Sequence, residues 1–133
     1  MRHEAVTIYD LQNGVLAFDL IDILQLAKEE VLASTWRCRH VEAFGTCAED
    51  LHRALNEGST LSGAQLLRFA AEIHQIIDGD FEARRPAEDM PWVIVRAVDS
   101  SFYVVSTSDS ALLAKVRNRF QRVYDAPEEV DIP

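Results

Sequence analysis

The chain has 133 residues, of which 48% are hydrophobic and 26% charged, and this composition is typical of one compact domain with its own core. Its formal net charge of −9 disfavours a nucleic-acid partner, because nucleic-acid affinity depends on basic side chains that neutralise phosphates. Neither a long apolar run nor a leader-like N-terminus is present in the sequence. We therefore expect a cytoplasmic protein without a membrane partner, with a single domain over residues 1–124 and a loose acidic tail over 125–133.

The N-terminal third of the chain predicts a short strand over residues 5–9, a turn at Asn13-Gly14 and then a helix. Apolar residues recur at helical spacing from Leu20 to Val31, and Asp19 is well placed to cap the start of this helix over about 19–33. Residues 35–44 then alternate in character, as in a strand with one buried face. The alternation places Trp36, Cys38, His40 and Phe44 on one face and Arg37, Arg39 and Val41 on the other.

Two capping boxes follow, each with a hydroxyl residue three positions before Glu or Gln. The first, Thr46-x-x-Glu49, predicts a helix over about 47–57 that ends at Gly58. The second, Ser62-x-x-Gln65, predicts a third helix with a broad apolar face that extends through Ile73, Ile76 and Ile77 to a C-terminal cap at Gly79. Residues 80–91 mix acids, arginines and prolines without a period, and we expect a loop there.

The C-terminal part predicts a hairpin followed by a helix. Residues 92–98 are almost continuously apolar, as in a strand covered on both faces, and residues 102–107 return as its partner. Asp109 caps a fourth helix over about 110–124. The order α-β-α-α-β-β-α predicts an α+β domain in which about four helices pack a small, largely antiparallel sheet of about three to four strands.

Catalytic and metal-binding motifs are absent from the sequence, which contains no G-x-S-x-G, no H-E-x-x-H and no glycine-rich phosphate loop. Cys38, His40 and Cys47 are possible zinc ligands by residue type, but the paired spacings of structural zinc sites do not occur. Cys47, at a helix start, is also a candidate thiolate, although a small residue that fills space is the simpler interpretation. We predict no metal and no catalytic residue. An enzyme with an unmarked active site stays open as a third hypothesis.

A ligand site is the second hypothesis. His74 lies on the apolar face of the predicted third helix, and His40 lies on the buried face of the predicted strand. An imidazole on an apolar wall suits a flat apolar ligand, because His is a common axial ligand of haem. We predict no cofactor, with a haem-like tetrapyrrole held between sheet and helices as the alternative.

The first hypothesis is a non-catalytic protein-interaction or regulatory module whose partner is another protein or a second copy. Arginine and tryptophan are enriched at interface hot spots, and methionine adapts to varied surfaces. Two surfaces carry this hypothesis. The first is the 80–92 loop with Arg84, Arg85, Met90 and Trp92, and the second is a basic stripe on the fourth helix formed by Lys115, Arg119 and Arg122.

Overall fold

The computed structural model describes residues 3–45 and 60–125, and most of its strands belong to one sheet. The strands, numbered in chain order, are β1 (Glu4–Ile8), β2 (Leu11–Gln12), β3 (Val15–Leu16), β4 (Thr35–Gly45), β5 (Thr60–Ser62), β6 (Ile73–Arg84), β7 (Val93–Val98), β8 (Phe102–Thr107) and β9 (Val123–Asp125). Seven of them form an antiparallel sheet in the order β5-β4-β6-β7-β8-β1-β9, and β2 pairs with β3 in a separate hairpin.

Three helical stretches pack on one face of this sheet. They are α1 (Leu20–Leu24), which continues through a 3₁₀ turn at Gln25–Ala27 into α2 (Lys28–Leu32), then α3 (Gly63–Glu72) and α4 (Ser110–Arg119). Their buried side chains join alternate residues of the strands in a single core cluster. No helix within the described ranges combines the length and the apolar character needed to span a membrane.

The predicted architecture is wrong in its proportions, although the chain does combine helices with strands. We predicted a small sheet of three to four strands packed by four helices. The described residues form a seven-stranded sheet with three helical stretches. The predicted helix over 47–57, with Thr46, Glu49 and Cys47, lies outside the described residues, as do positions 126–133 of the predicted tail.

Strand β6 accounts for the largest error. The Ser62 capping box is confirmed, since the Gln65 backbone donates to Ser62 Oγ at 3.1 Å, but α3 ends at Glu72 rather than at Gly79. Residues 73–84 form a strand instead of a helix end and a loop. Its buried residues Gly79, Phe81 and Ala83 alternate with half-buried charged ones, a strand pattern that the acids obscured. Pairing with β4 on one side and β7 on the other outweighs the local helical spacing.

Strand β4 has the predicted extent, but its predicted faces hold only for the first half. Trp36 and Cys38 are buried as expected. The pairing with β6 then shifts register between Arg39 and Glu42, where His40 adopts a positive φ of 55°. This β-bulge turns His40 out to solvent and buries Val41, which reverses the predicted faces of both residues.

The predictions for the C-terminal elements are correct where the elements begin and wrong where they end. The β7–β8 hairpin forms with Val98 opposite Phe102, but β7 is buried at alternate residues, so only one of its faces is covered by the core. Asp109 caps α4 as predicted, whereas the helix stops at Arg119. Val123 and the next two residues form β9, because pairing with β1 is available there.

The N-terminal predictions agree with the structure. Strand β1 lies at residues 4–8, and the Asn13-Gly14 turn closes the β2–β3 hairpin with φ values of 55° and 77°. Asp19 caps α1, so the predicted helix begins where expected. The 3₁₀ turn then interrupts it.

The close approach of α2 and α3 gives a test of the packing. A Cβ atom added at Gly63, the first residue of α3, would overlap the carbonyl oxygen of Val31. We expect Gly63→Ala to lower the free energy of unfolding by about 1–3 kcal/mol, because backbone would have to move to relieve the overlap. Urea denaturation measures this loss. The control is Ala64→Ser at the next, exposed position, expected to change stability by about 0.5 kcal/mol; equal losses in the two variants would contradict the packing.

Candidate binding face and carboxylate cleft

The sheet has a second face, opposite the described helices, which we call the open face. Val104 shows that it is separate from the core: this residue is only 5% exposed, yet it does not belong to the core cluster. The cross-strand register defines the side chains on this face. They are Ala5, Thr7, Tyr9, Arg37, Arg39, Glu42, Asp78, Asp80, Glu82, Arg84, Ile94, Arg96, Val98, Phe102, Val104, Ser106 and Tyr124.

The half of the open face over β4, β6 and β7 carries charged residues in cross-strand rows. Arg96 Nε donates to Asp80 Oδ1 at 2.9 Å, and the Arg84 guanidinium lies 3.5 Å from Glu82 Oε1. The Nε atoms of Arg37 and Arg84 are buried without a hydrogen-bond partner among the described residues. Buried donors of this kind are costly when unpaired, and neither atom has accessible surface, so both are covered by the chain itself.

The half over β8, β1 and β9 carries aromatic rings. The centroid of the Tyr9 ring lies 5.1 Å from that of Phe102 and 5.8 Å from that of Tyr124. Tyr124 is 57% exposed, which leaves one face of this cluster available for contact. Tyrosine is one of the residue types enriched at the energetic centres of protein interfaces.

The predicted interaction residues of the 80–92 loop do not form one surface. Trp92 is buried, and its indole Nε1 donates to Ser34 Oγ at 2.9 Å. Arg85 stacks on the Trp92 ring at 4.6 Å and donates to Glu30 at 2.7 Å, so both residues hold the loop against α2. Arg84 lies on the open face, and Met90 is 76% exposed within the loop.

The predicted basic stripe on α4 is partly engaged within the molecule. Lys115 Nζ donates to the Leu26 carbonyl at 3.2 Å, and Arg119 lies 3.7 Å from Asp22. Both contacts join α4 to the first helical stretch. Arg122 is exposed beyond the end of the helix, just before β9.

The two predicted ligand histidines do not converge. His40 is exposed at the β-bulge, and His74 lies near the start of β6, where the structure describes its backbone alone. His40 falls between the β4 residues that pair with Asp80 and Asp78, so their backbones are separated by about five residues of strand, roughly 16 Å.

The described part of the chain gives no support to a zinc site or a reactive thiolate at the cysteines. Cys38 is fully buried, and burial raises the pKa of its thiol to about 12, which keeps it protonated at neutral pH. The bulge also takes His40 off the face that Cys38 occupies. Residues 3–45 and 60–125 contain no group of three metal-ligating side chains.

Sequence reasoning missed a cleft of about 280 Å³ where α1 meets the sheet. Asp19 Oδ1 accepts hydrogen bonds from the Tyr103 hydroxyl at 2.6 Å and from the Leu20 and Ile76 backbones at 3.0 and 3.4 Å. Burial raises the pKa of the Asp19 carboxyl, and burial beside this carboxyl raises that of Tyr103. The cleft is lined by Val15, Leu16, Ala17, Phe18, Asp19, Asp22 and Gln75.

No local signal reveals this cleft. Asp19 was recognisable as an N-cap, but Tyr103 lies 84 residues further along the chain, and only strand pairing brings them together. The carboxyl connects α1 to β6 and β8, so its first role is structural. It can also hold a proton in a partly enclosed site.

Comparisons with protein-family models, curated proteins and solved structures found no match to this chain. The open face and the cleft are therefore interpreted from their own contacts.

The cleft predicts a pH dependence of stability. Because burial raises the pKa of Asp19, the folded protein holds this proton more tightly than the unfolded chain, whose carboxyl has a pKa near 3.8. Protonation therefore adds to the free energy of unfolding as the pH falls through the raised value. The contribution is complete below 3.8 and absent above the folded-state pKa.

Asp19→Asn keeps an oxygen for the Leu20 and Tyr103 donors but does not titrate. Urea unfolding across acidic pH should show wild type gaining stability relative to this variant as the pH falls. Asp109→Asn is the control, because it makes the same substitution at the N-cap of α4, where the carboxyl has no buried tyrosine partner. Parallel pH profiles for wild type and Asp19→Asn would contradict the prediction.

Proposed function

We propose that the chain is a non-catalytic protein-interaction module, acting in the cytoplasm, that binds its partner through the open face of the sheet. One observation carries this proposal: the described helices cover one face of the sheet, while the other carries an aromatic cluster over β8, β1 and β9 and rows of arginines and carboxylates over β4, β6 and β7. A sheet face with alternate apolar and charged residues stabilises a complex when a second molecule removes it from water.

The sheet edges favour binding through the face. The outermost strands β5 and β9 have 3 residues each, and short edge strands discourage pairing with another chain. The part of β4 beyond β5 carries the bulge at His40, which interrupts regular pairing there. A partner strand added at an edge would therefore form few main-chain hydrogen bonds, whereas a partner on the open face can contact many side chains.

The other predicted interaction residues take different places in this proposal. Arg84 belongs to the open face, and Met90 lies in the loop that leaves the same strand. Arg85, Trp92, Lys115 and Arg119 contact other parts of the chain, so we assign them a packing role. Arg122 is kept as a peripheral contact.

A second candidate, a small-ligand-binding protein, is favoured by the Asp19 cleft. Two carboxylates and the Gln75 amide line it together with apolar residues, a set that suits a small amine with an apolar group. Native mass spectrometry of freshly purified protein should then show the added mass of a bound ligand. Tyr103→Phe should lower the fraction of protein that carries this mass. Absence of bound mass, and of an absorption band from a haem-like group, would rule out this candidate.

The interaction proposal is tested by photo-crosslinking in the cells that make the protein. A photoreactive amino acid in place of Tyr124 should give a discrete crosslinked product, because this side chain lies on the open face and is exposed. The control places the same group at Gln65, exposed on α3 on the helical side.

The charge variant Arg39→Glu should reduce the Tyr124 crosslink at least about tenfold, since reversing one charge at a complementary interface opposes docking. Arg68→Glu makes the same change on α3, at a side chain that is 80% exposed, and should leave the crosslink intact. Equal crosslinking from positions 124 and 65 would contradict the proposal.

A further inference from the structure

A second cleft lies between the β2–β3 hairpin and the segment that joins α4 to β9, and we call it the hairpin cleft. It has a volume of about 280 Å³ and is lined by Asp10, Leu11, Gln12, Ala17, Gln121 and Arg122. Its lining differs from that of the Asp19 cleft at every residue except Ala17. Pockets for drug-sized molecules measure roughly 300–1,000 Å³, so the hairpin cleft suits a smaller ligand.

Asp10 holds the backbone on one side of the hairpin cleft in place. Its carboxylate accepts hydrogen bonds from the backbone N–H of Gln121 at 2.9 Å and from that of Arg122 at 2.6 Å. The backbone N–H of Tyr9 donates to the Arg122 carbonyl at 2.8 Å. The backbone of residue 122 is therefore fixed from two directions before any ligand binds, which lowers the cost of ordering the site.

Two residues of opposite charge line the hairpin cleft without pairing. Arg122 is exposed, and its guanidinium contacts no carboxylate among the described residues, whereas Arg117 at the end of α4 contacts Asp125. Asp10 accepts from two backbone N–H groups, and a carboxylate can accept about four hydrogen bonds, so it keeps acceptor capacity. Both charged groups are therefore available to a ligand in the cleft.

A ligand that complements this lining carries both signs of charge. A carboxylate suits the planar guanidinium of Arg122, because the two groups can form a pair of parallel hydrogen bonds. An ammonium group suits the remaining acceptor capacity of Asp10, and Leu11, which is 41% exposed, adds an apolar wall. A zwitterion has no net charge, so the net charge of −9 on the chain does not repel it as it repels an anion.

We propose that the hairpin cleft binds a free α-amino acid with an apolar side chain. Its carboxylate pairs with Arg122, its ammonium group donates to Asp10, and its side chain packs on Leu11. The inference goes beyond the proposed function, because this site lies apart from the partner of the open face. It also differs from the small amine considered for the Asp19 cleft, since an amine without a carboxylate leaves Arg122 unpaired.

Amide NMR spectra of the full chain test the site, with leucine, valine, methionine and phenylalanine as probes. At least one of these amino acids should shift the backbone signals of Leu11 and Gln121 in a saturable manner. Its N-acetyl derivative lacks the ammonium group, and its amide derivative lacks the carboxylate. Each derivative should bind at least about tenfold more weakly, because each leaves one charged group of the cleft without its partner.

Arg122→Gln should weaken binding of the same amino acid at least about tenfold, since it removes the guanidinium that pairs with the carboxylate. Arg117→Gln is the matched control, because it removes an exposed guanidinium that does not line the cleft, and it should leave the affinity unchanged. Circular dichroism checks that both variants fold.

Three results would overturn the inference. They are the absence of localised shifts with all four amino acids, an amide derivative that binds as tightly as its amino acid, and equal affinities of Arg122→Gln and Arg117→Gln. An amide derivative that shifts the signals of Asp19 and Gln75 instead would assign binding to the Asp19 cleft. None of these results bears on the crosslink from position 124, so the proposed function is tested separately.

Discussion

The pairing of β6 with strands on both of its sides is the interaction on which the rest of the structure depends. This 12-residue strand contacts β4 along one edge and β7 along the other, and Phe81 at its centre lies opposite both Cys38 and Val95. Without β6, the strand pair β4–β5 would have no connection to the hairpin β7–β8. The sheet would then separate into two small units, each with too little buried surface to be stable alone.

The central strand also gives the sheet its two unlike faces. Along β6, small and apolar residues face the helices while charged residues face away. The first part of β4 and all of β7 repeat the alternation of buried and outward-facing residues in register. The helices are held to one side by specific contacts, such as the Asp19–Tyr103 hydrogen bond and the close approach of Gly63 to Val31. The opposite side is left with arginines, carboxylates and aromatic rings, and this composition supports the binding role that we propose.

Local signals in the sequence predicted the features that depend on nearby residues. The caps at Asp19, Ser62 and Asp109 and the β7–β8 hairpin are each specified within a few positions, and all are present. Strand β6 was missed because its charged residues are tolerated only when a partly covered sheet face receives them, which is a tertiary property. Strand β9 was missed because its partner β1 lies at the other end of the chain.

The candidate site was less predictable than the fold for the same reason. Trp92 and Arg85 have the residue types of an interface, but they satisfy each other and neighbours in α2 within the molecule. Of the residues chosen for interaction, Arg84 alone lies on the open face, because its face depends on the register of a strand that the sequence did not reveal. His40 changed faces through a one-residue bulge, which alternation alone cannot detect.

Thiol labelling of single cysteines placed along β7 tests the central claim, that this sheet has one face buried by helices and one face used for binding. In a background with Cys47 replaced by Ser and with Cys38 buried, cysteines at positions 94, 96 and 98 should react quickly in dilute protein, while those at 95 and 97 should react slowly. In intact cells, where the partner is present, labelling at the even positions alone should slow relative to the purified protein. Equal labelling at odd and even positions, or even positions that react equally fast in cells and in purified protein, would contradict the account.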